Sequence, residues 1–237
     1  MNNNITRFAF LASMLYGFVA TIHAAEPTDD MNVLFIGNSF TSFHQLPKMV
    51  ADLAKAGKQR PLNFVQITPG GCTLEKHWKD GKALAAIQSR KWDYVVLQEQ
   101  SQGPLLNRAS MFDYGKKLNA EIEKQGAKTI LYMTWAYSDK PDDQAAISKA
   151  YLDLAKEINS KIAPVGLAWE QALSADKKLV LHEKDEKHPN MTGSYLAACV
   201  FYATIYSKSP EGLPSSIGKM SDEDALPLQV IAWKVMN

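Results

Sequence analysis

The chain has 237 residues, 46% of them hydrophobic and 22% charged, which excludes a disordered tail, a collagen-like chain and a small disulfide scaffold. Its 26 basic and 25 acidic side chains leave a net charge of +1. With no cationic excess to hold a phosphate backbone, nucleic acid is not an expected partner. The length suits one domain, with a core large enough to need no metal or disulfide support.

At the N-terminus, Arg7 precedes an apolar run over residues 8–20, shorter than the roughly 20 residues a bilayer-spanning helix requires. Small residues follow, and Ala24 with Ala25 offers a cleavage point. Residues 1–24 therefore read as a secretory signal peptide, and 25–237 as the single mature domain. Removing Arg7 and no acid leaves that domain neutral, with no second long apolar stretch and no cysteine at the cut to carry a lipid. The expected address is exported, periplasmic or extracellular, without stable membrane insertion after signal cleavage. Cys72 and Cys199 read as small apolar side chains. Export permits a bond between them, which their spacing cannot decide.

Residues 32–36 form a short apolar run ending at Gly37, the pattern of a buried strand. Helical spacing follows over 46–56, then a second strand over 62–67, stopped by Pro69, Gly70 and Gly71. The pattern continues with a helix over 74–89, a strand over 94–97, a helix over 109–125 and a strand over 129–134. A helix over 143–159, a fifth short strand near 164–167, a helix running to about 207 and a last helix capped by Ser221 complete it. Strands alternating with helices predict an α/β fold with a parallel sheet covered on both faces. Such sheets place ligands at the carboxyl ends of their strands, so the loops after strands one, two and three carry the interest.

Those loops hold the reactive residues. Ser39 lies just past the first strand, at a turn before a helix, a placement that suits a nucleophile if a base removes its proton. Gly71 and Cys72 follow the second strand, and Gln98-Glu99-Gln100-Ser101 the third. A glycine N–H and a glutamine amide are neutral donors able to stabilise an oxyanion. Near the other end, Asp185 stands three residues before His188, close enough to bond one ring nitrogen and leave the other as a base.

Taken together, these pieces resemble the SGNH/GDSL hydrolases, a family of serine esterases and acyl hydrolases, over about residues 31–207. The strongest stretches are GNSFT (37–41) and DEKHPNMTGSYLAA (185–198). The resemblance implies a flavodoxin-like three-layer sandwich with a five-stranded parallel sheet. It also implies that Ser39 is the nucleophile, His188 the general base and Asp185 its orienting carboxylate. The Ser39 and Gly71 N–H groups would form the oxyanion hole. Two departures are visible. Asn38 stands where the family has aspartate, and no Gly-x-Asn-Asp block follows the third strand, so Gln98 or Gln100 has to supply the third donor. Strand alternation puts both glutamines on one face and Glu99 on the other. Gln98 is favoured because it directly follows the apolar run, with Gln100 as the alternative.

The expected function is hydrolysis of a small acyl ester, acetyl by preference, on a small molecule or glycan, with no metal or organic cofactor required by the serine mechanism. A noncatalytic glycan-binding module on the same fold and a lysophospholipase-type lipid esterase are the alternatives. A nucleotide-binding reading lacks the Gly-x-Gly-x-x-Gly loop. His44 and His77 fall on helical stretches and are expected to face solvent. His182 precedes Asp185, the wrong direction for the motif. Trp135 and Tyr137 follow the fourth strand, as substrate wall or as packing.

Overall fold

The computed structural model describes residues 30–236; the expected signal peptide, residues 1–24, lies outside them. Five parallel strands form one sheet in the order β2-β1-β3-β4-β5: β1 (Met31–Ile36), β2 (Leu62–Ile67), β3 (Tyr94–Leu97), β4 (Lys128–Tyr132) and β5 (Lys161–Ala163). Side chains alternate across a strand, so a sheet covered on both faces needs apolar residues at every position. β1 meets this demand over residues 33–36. Val33 and Phe35 enter one core layer, and Leu34 and Ile36 the other, all fully buried.

The first layer packs under α2 (Leu46–Ala56), α8 (Val165–Ala175), α9 (Met191–Tyr206) and α10 (Asp222–Lys234). The second packs under α3 (Leu74–Asp80), α4 (Lys82–Gln88), α6 (Arg108–Lys124) and α7 (Asp143–Ile158). Two single turns, α1 (Ser39–Ser42) and α5 (Gly103–Leu106), follow β1 and β3. The result is the expected flavodoxin-like three-layer sandwich. No helix among the described residues is long and apolar enough to cross a membrane.

Several boundaries differ from the periodicity. The helix expected over 74–89 breaks at Gly81, whose φ of 72° lies in the left-handed region that glycine adopts without strain. The fifth strand occupies Lys161–Ala163 rather than 164–167. Pro164 is instead the N-cap of α8, a helix whose short apolar opening reads equally well as a strand. Ser221 caps α10 as expected, its Oγ accepting from the Asp224 N–H, and Pro227 sits inside that helix. Cys72 and Cys199 are both buried and unpaired.

The strand order reverses direction between β1 and β3, the switch point where open α/β sheets form a crevice. The loops after β1 and β3 flank that crevice.

Candidate active site

The turn after β1 is built by Asn38, which caps α1 with its Oδ1 accepting from the Phe40 N–H at 3.0 Å. The same amide donates through Nδ2 to the Cys72 carbonyl at 3.2 Å, tying the loop after β1 to the loop after β2. An aspartate has no proton to give that carbonyl, which accounts for asparagine here. Because Asn38 takes the capping role, Ser39 occupies the first helical position with its hydroxyl free to point outward. The Ser39 N–H has no partner among the described residues, as expected for a first-turn N–H.

His188 lies 149 residues further on, yet its Nε2 is 2.8 Å from Ser39 Oγ. Its Nδ1 is 2.5 Å from Asp185 Oδ2, and Asp185 Oδ1 accepts the His188 and Lys187 N–H groups. Partial burial pushes the Asp185 carboxyl upward. The bonds from the His188 ring and from both backbone N–H groups outweigh it, and the pKa falls from 3.8 to about 2. The carboxylate is therefore an anion well below neutral pH. It fixes the proton on Nδ1 and leaves Nε2 as an acceptor facing the serine.

The loop carrying these residues is held from several sides. Trp135 Nε1 donates to the Lys187 carbonyl, the Ser138 N–H to Glu186, and the Asn190 N–H to Leu181. The His188 ring is also packed on two sides. Phe43 stacks on it at 4.3 Å and 11°, while Phe40 meets its edge at 5.5 Å and 73°. Phe43 reaches this position through two consecutive left-handed residues, His44 (φ 49°) and Gln45 (φ 56°). Sequence reading missed Phe43, since such a turn without glycine leaves no mark in composition.

Ser39 and His188 open on a pocket of about 220 Å³ that Gly71, Gln100, Ser101 and Tyr137 also line. Gly71 has φ 62° and, like Ser39, a backbone N–H without a partner among the described residues. The preference for Gln98 over Gln100 is corrected. Gln98 is fully buried beneath the turn, where its Oε1 accepts both the Asn38 N–H at 3.0 Å and the Thr41 hydroxyl at 2.9 Å. Its Nε2 donates to the Glu99 carbonyl. The alternation argument failed because β3 ends at Leu97, so the two glutamines do not share a strand face. Gln100 lines the pocket instead, with Nε2 donating to Ser101 Oγ, which in turn pairs with the Tyr137 hydroxyl at 2.8 Å.

Two histidines expected at the surface are also corrected. His77 is buried, and its Nε2 donates to the Gly37 carbonyl at 2.7 Å. Burial holds its pKa below the usual value, so it stays neutral while bracing the strand end. His44 is half-buried, with Nδ1 2.9 Å from Ser194 Oγ on α9. Helical periodicity reveals neither position, since their partners come from other elements. Among the described residues no cluster of histidine, cysteine and acid is arranged to hold a metal.

No family model matches the chain, and no curated protein matches it. Solved structures do. A protein from Slackia heliotrinireducens, described as a candidate SGNH hydrolase, is 27% identical with TM-score 0.66, over 75% of this chain and all of that one. A DUF4886 family protein from Bacteroides uniformis is 21% identical with TM-score 0.72, over 88% of this chain and 95% of that one. A variant of an acetyl-xylooligosaccharide esterase from Geobacillus is 18% identical with TM-score 0.57, over 74% of this chain and 94% of that one.

Two predictions follow from the supports beneath the pocket. Gln98→Ala leaves a buried N–H and a buried hydroxyl unpaired and should cost about 2–3 kcal/mol in denaturant unfolding. Gln100→Ala, half-exposed, should cost less than about 1 kcal/mol. The second concerns Glu99, a buried carboxyl accepting the Gln100 and Leu74 N–H groups. Burial raises its pKa from 4.5 to about 7 despite those bonds. Folding then takes up a proton between those values, so this group's contribution to stability is full below 4.5 and falls as pH rises to about 7. The stability difference between wild type and Glu99→Gln should therefore be larger, in favour of wild type, at pH 5 than at pH 8. Parallel differences at both pH values would contradict the assignment.

The fold, the strand order and the GNSFT turn all agree, and the resemblance to the SGNH hydrolases read from the motifs holds in the structure of the chain.

Proposed function

We propose that the protein is an exported serine esterase that removes a small acyl group, acetyl by preference, from a carbohydrate or other glycan. The observation that carries the reading is the continuous hydrogen-bonded line Asp185–His188–Ser39 ending in a small open pocket. In the reaction His188 Nε2 takes the proton of Ser39 as Oγ attacks the acyl carbonyl. The carbonyl oxygen becomes an oxyanion, for which the Ser39 and Gly71 N–H groups are the available donors and the Gln100 amide the nearest side-chain one. Collapse expels the sugar oxygen, which recovers the proton from His188. Water, deprotonated by the same ring, then hydrolyses the acyl-enzyme and restores Ser39.

A pocket of about 220 Å³ suits a short acyl group better than a fatty chain. Export rests on the pattern of residues 1–24, and the glycan on that address together with the acetyl-xylooligosaccharide esterase among the structural neighbours.

Hydrolysis of p-nitrophenyl acetate tests the assignment. Ser39→Ala and His188→Ala should each lose at least about 10³-fold in kcat, and the double variant little more, because the two act as a unit. Asp185, with a pKa of about 2, should add no limb to the pH–activity profile above pH 4. Near wild-type activity in His188→Ala would refute the mechanism.

A further inference from the structure

Beside the pocket that holds Ser39, and sharing Tyr137 with it as a wall, lies a larger cavity of about 600 Å³. It sits between the start of α7, the middle of α8 and the segment 179–183 that leads into the His188 loop. Nothing in the proposed chemistry uses it.

Its walls describe a ligand. Trp169 carries a buried indole N–H with no hydrogen-bond partner among the described residues. That nitrogen is closed off from the cavity as well, so it supplies no contact there. The His182 ring meets Trp169 at 4.8 Å and 81°, and its Nε2 donates to the Ala136 carbonyl at 3.0 Å. That bond places the proton on Nε2 and leaves Nδ1 as an acceptor. The wall therefore offers an acceptor to which a hydroxyl group can donate.

Charge and shape narrow the class. Asp142, Glu170 and Glu183 outnumber Lys177 on the wall, which disfavours carboxylated, sulfated or phosphorylated ligands. Leu173, Leu179 and Val180 add apolar surface, Val180 being 63% exposed. A neutral molecule with apolar faces and hydroxyl edges fits both features, and a sugar ring is such a molecule. The volume exceeds that of the catalytic pocket almost threefold, enough for more than one ring.

We propose that this cavity is the subsite for the alcohol part of the substrate, a neutral oligosaccharide whose acylated ring reaches Ser39 past Tyr137. The proposal rests on the esterase reading and extends it to a substrate class. It assigns His182 as the polar contact and places the acyl group alone in the smaller pocket.

The test separates the two readings. Ser39→Ala protein is titrated calorimetrically with xylotriose, cellotriose and tri-N-acetylchitotriose, none of which carries a scissile O-acyl ester. Binding of at least one at low millimolar concentration or better is expected, corresponding to about −4 kcal/mol. Ser174→Trp, which fills the cavity from an exposed position on α8, should weaken that binding at least about tenfold. In the Ser39 protein, Ser174→Trp should leave kcat/KM for p-nitrophenyl acetate within about twofold while raising KM for the acetylated form of the bound sugar about tenfold. No binding by any of the three sugars, or binding indifferent to Ser174→Trp, would overturn the subsite. So would a Ser174→Trp effect confined to p-nitrophenyl palmitate, which would make the cavity an acyl-chain pocket. Retained p-nitrophenyl acetate hydrolysis in Ser39→Ala would instead sink the esterase reading, and the sugar titration would still decide the cavity.

Discussion

The side-chain oxygen of Gln98 is the joint on which the site is assembled. It leaves the end of β3 and accepts two bonds from the turn after β1, one from the Asn38 N–H and one from the Thr41 hydroxyl. Both donors are buried, so an alternative partner in water is not available and the turn has one low-energy arrangement. The close approach also explains Gly37, where a Cβ would come within 2.6 Å of that same Gln98 oxygen. A parallel sheet brings adjacent strand ends together, and at the switch point the β1 and β3 loops diverge around a crevice. Gln98 stitches them below it. Ser39 and Gln100 are left above, on the open side.

Around that joint the polar and aromatic supports have separate duties. Asn38, His77 and Gln98 hold the β1 turn through hydrogen bonds to backbone groups that would otherwise be buried and unpaired. The His188 loop, by contrast, is held against an aromatic stack. Trp169 lies on Trp135 at 3.9 Å, Trp135 on Phe40 at 4.6 Å, and Phe40 meets His188. Each ring contributes buried area and a preferred orientation, so the histidine is confined by packing as well as by Asp185. The stack also runs from the Ser39 pocket to the wall of the larger cavity, which gives the two a shared rigid partition.

Much of this was legible in the residues. The strand and helix alternation conveyed the layered α/β fold, because a doubly covered sheet demands continuous apolar runs such as residues 32–36 and 94–97. Ser39, Asp185 and His188 were legible as a set, since their two short motifs fall in loops that the topology brings to one sheet edge. The failures have physical causes. Gln98 was wrongly preferred to Gln100 because strand alternation was extended to residue 100, three residues past the end of β3. His44 and His77 were misplaced because periodicity reports a helix face, not a partner from another element. The fifth strand was shifted because a proline-led apolar segment opens a helix as readily as it forms a buried strand. The large cavity had no signal at all, its wall being drawn from α7, α8 and a loop far apart in the chain.

The account stands on Ser39 being a nucleophile activated through His188. The most direct measurement is covalent labelling of the purified protein with a fluorophosphonate, mapped by peptide mass spectrometry. A single adduct on the peptide that contains Ser39, lost in Ser39→Ala and strongly slowed in His188→Ala, is the expected result. Labelling at another serine, or none in a folded protein across pH 6 to 9, would contradict it.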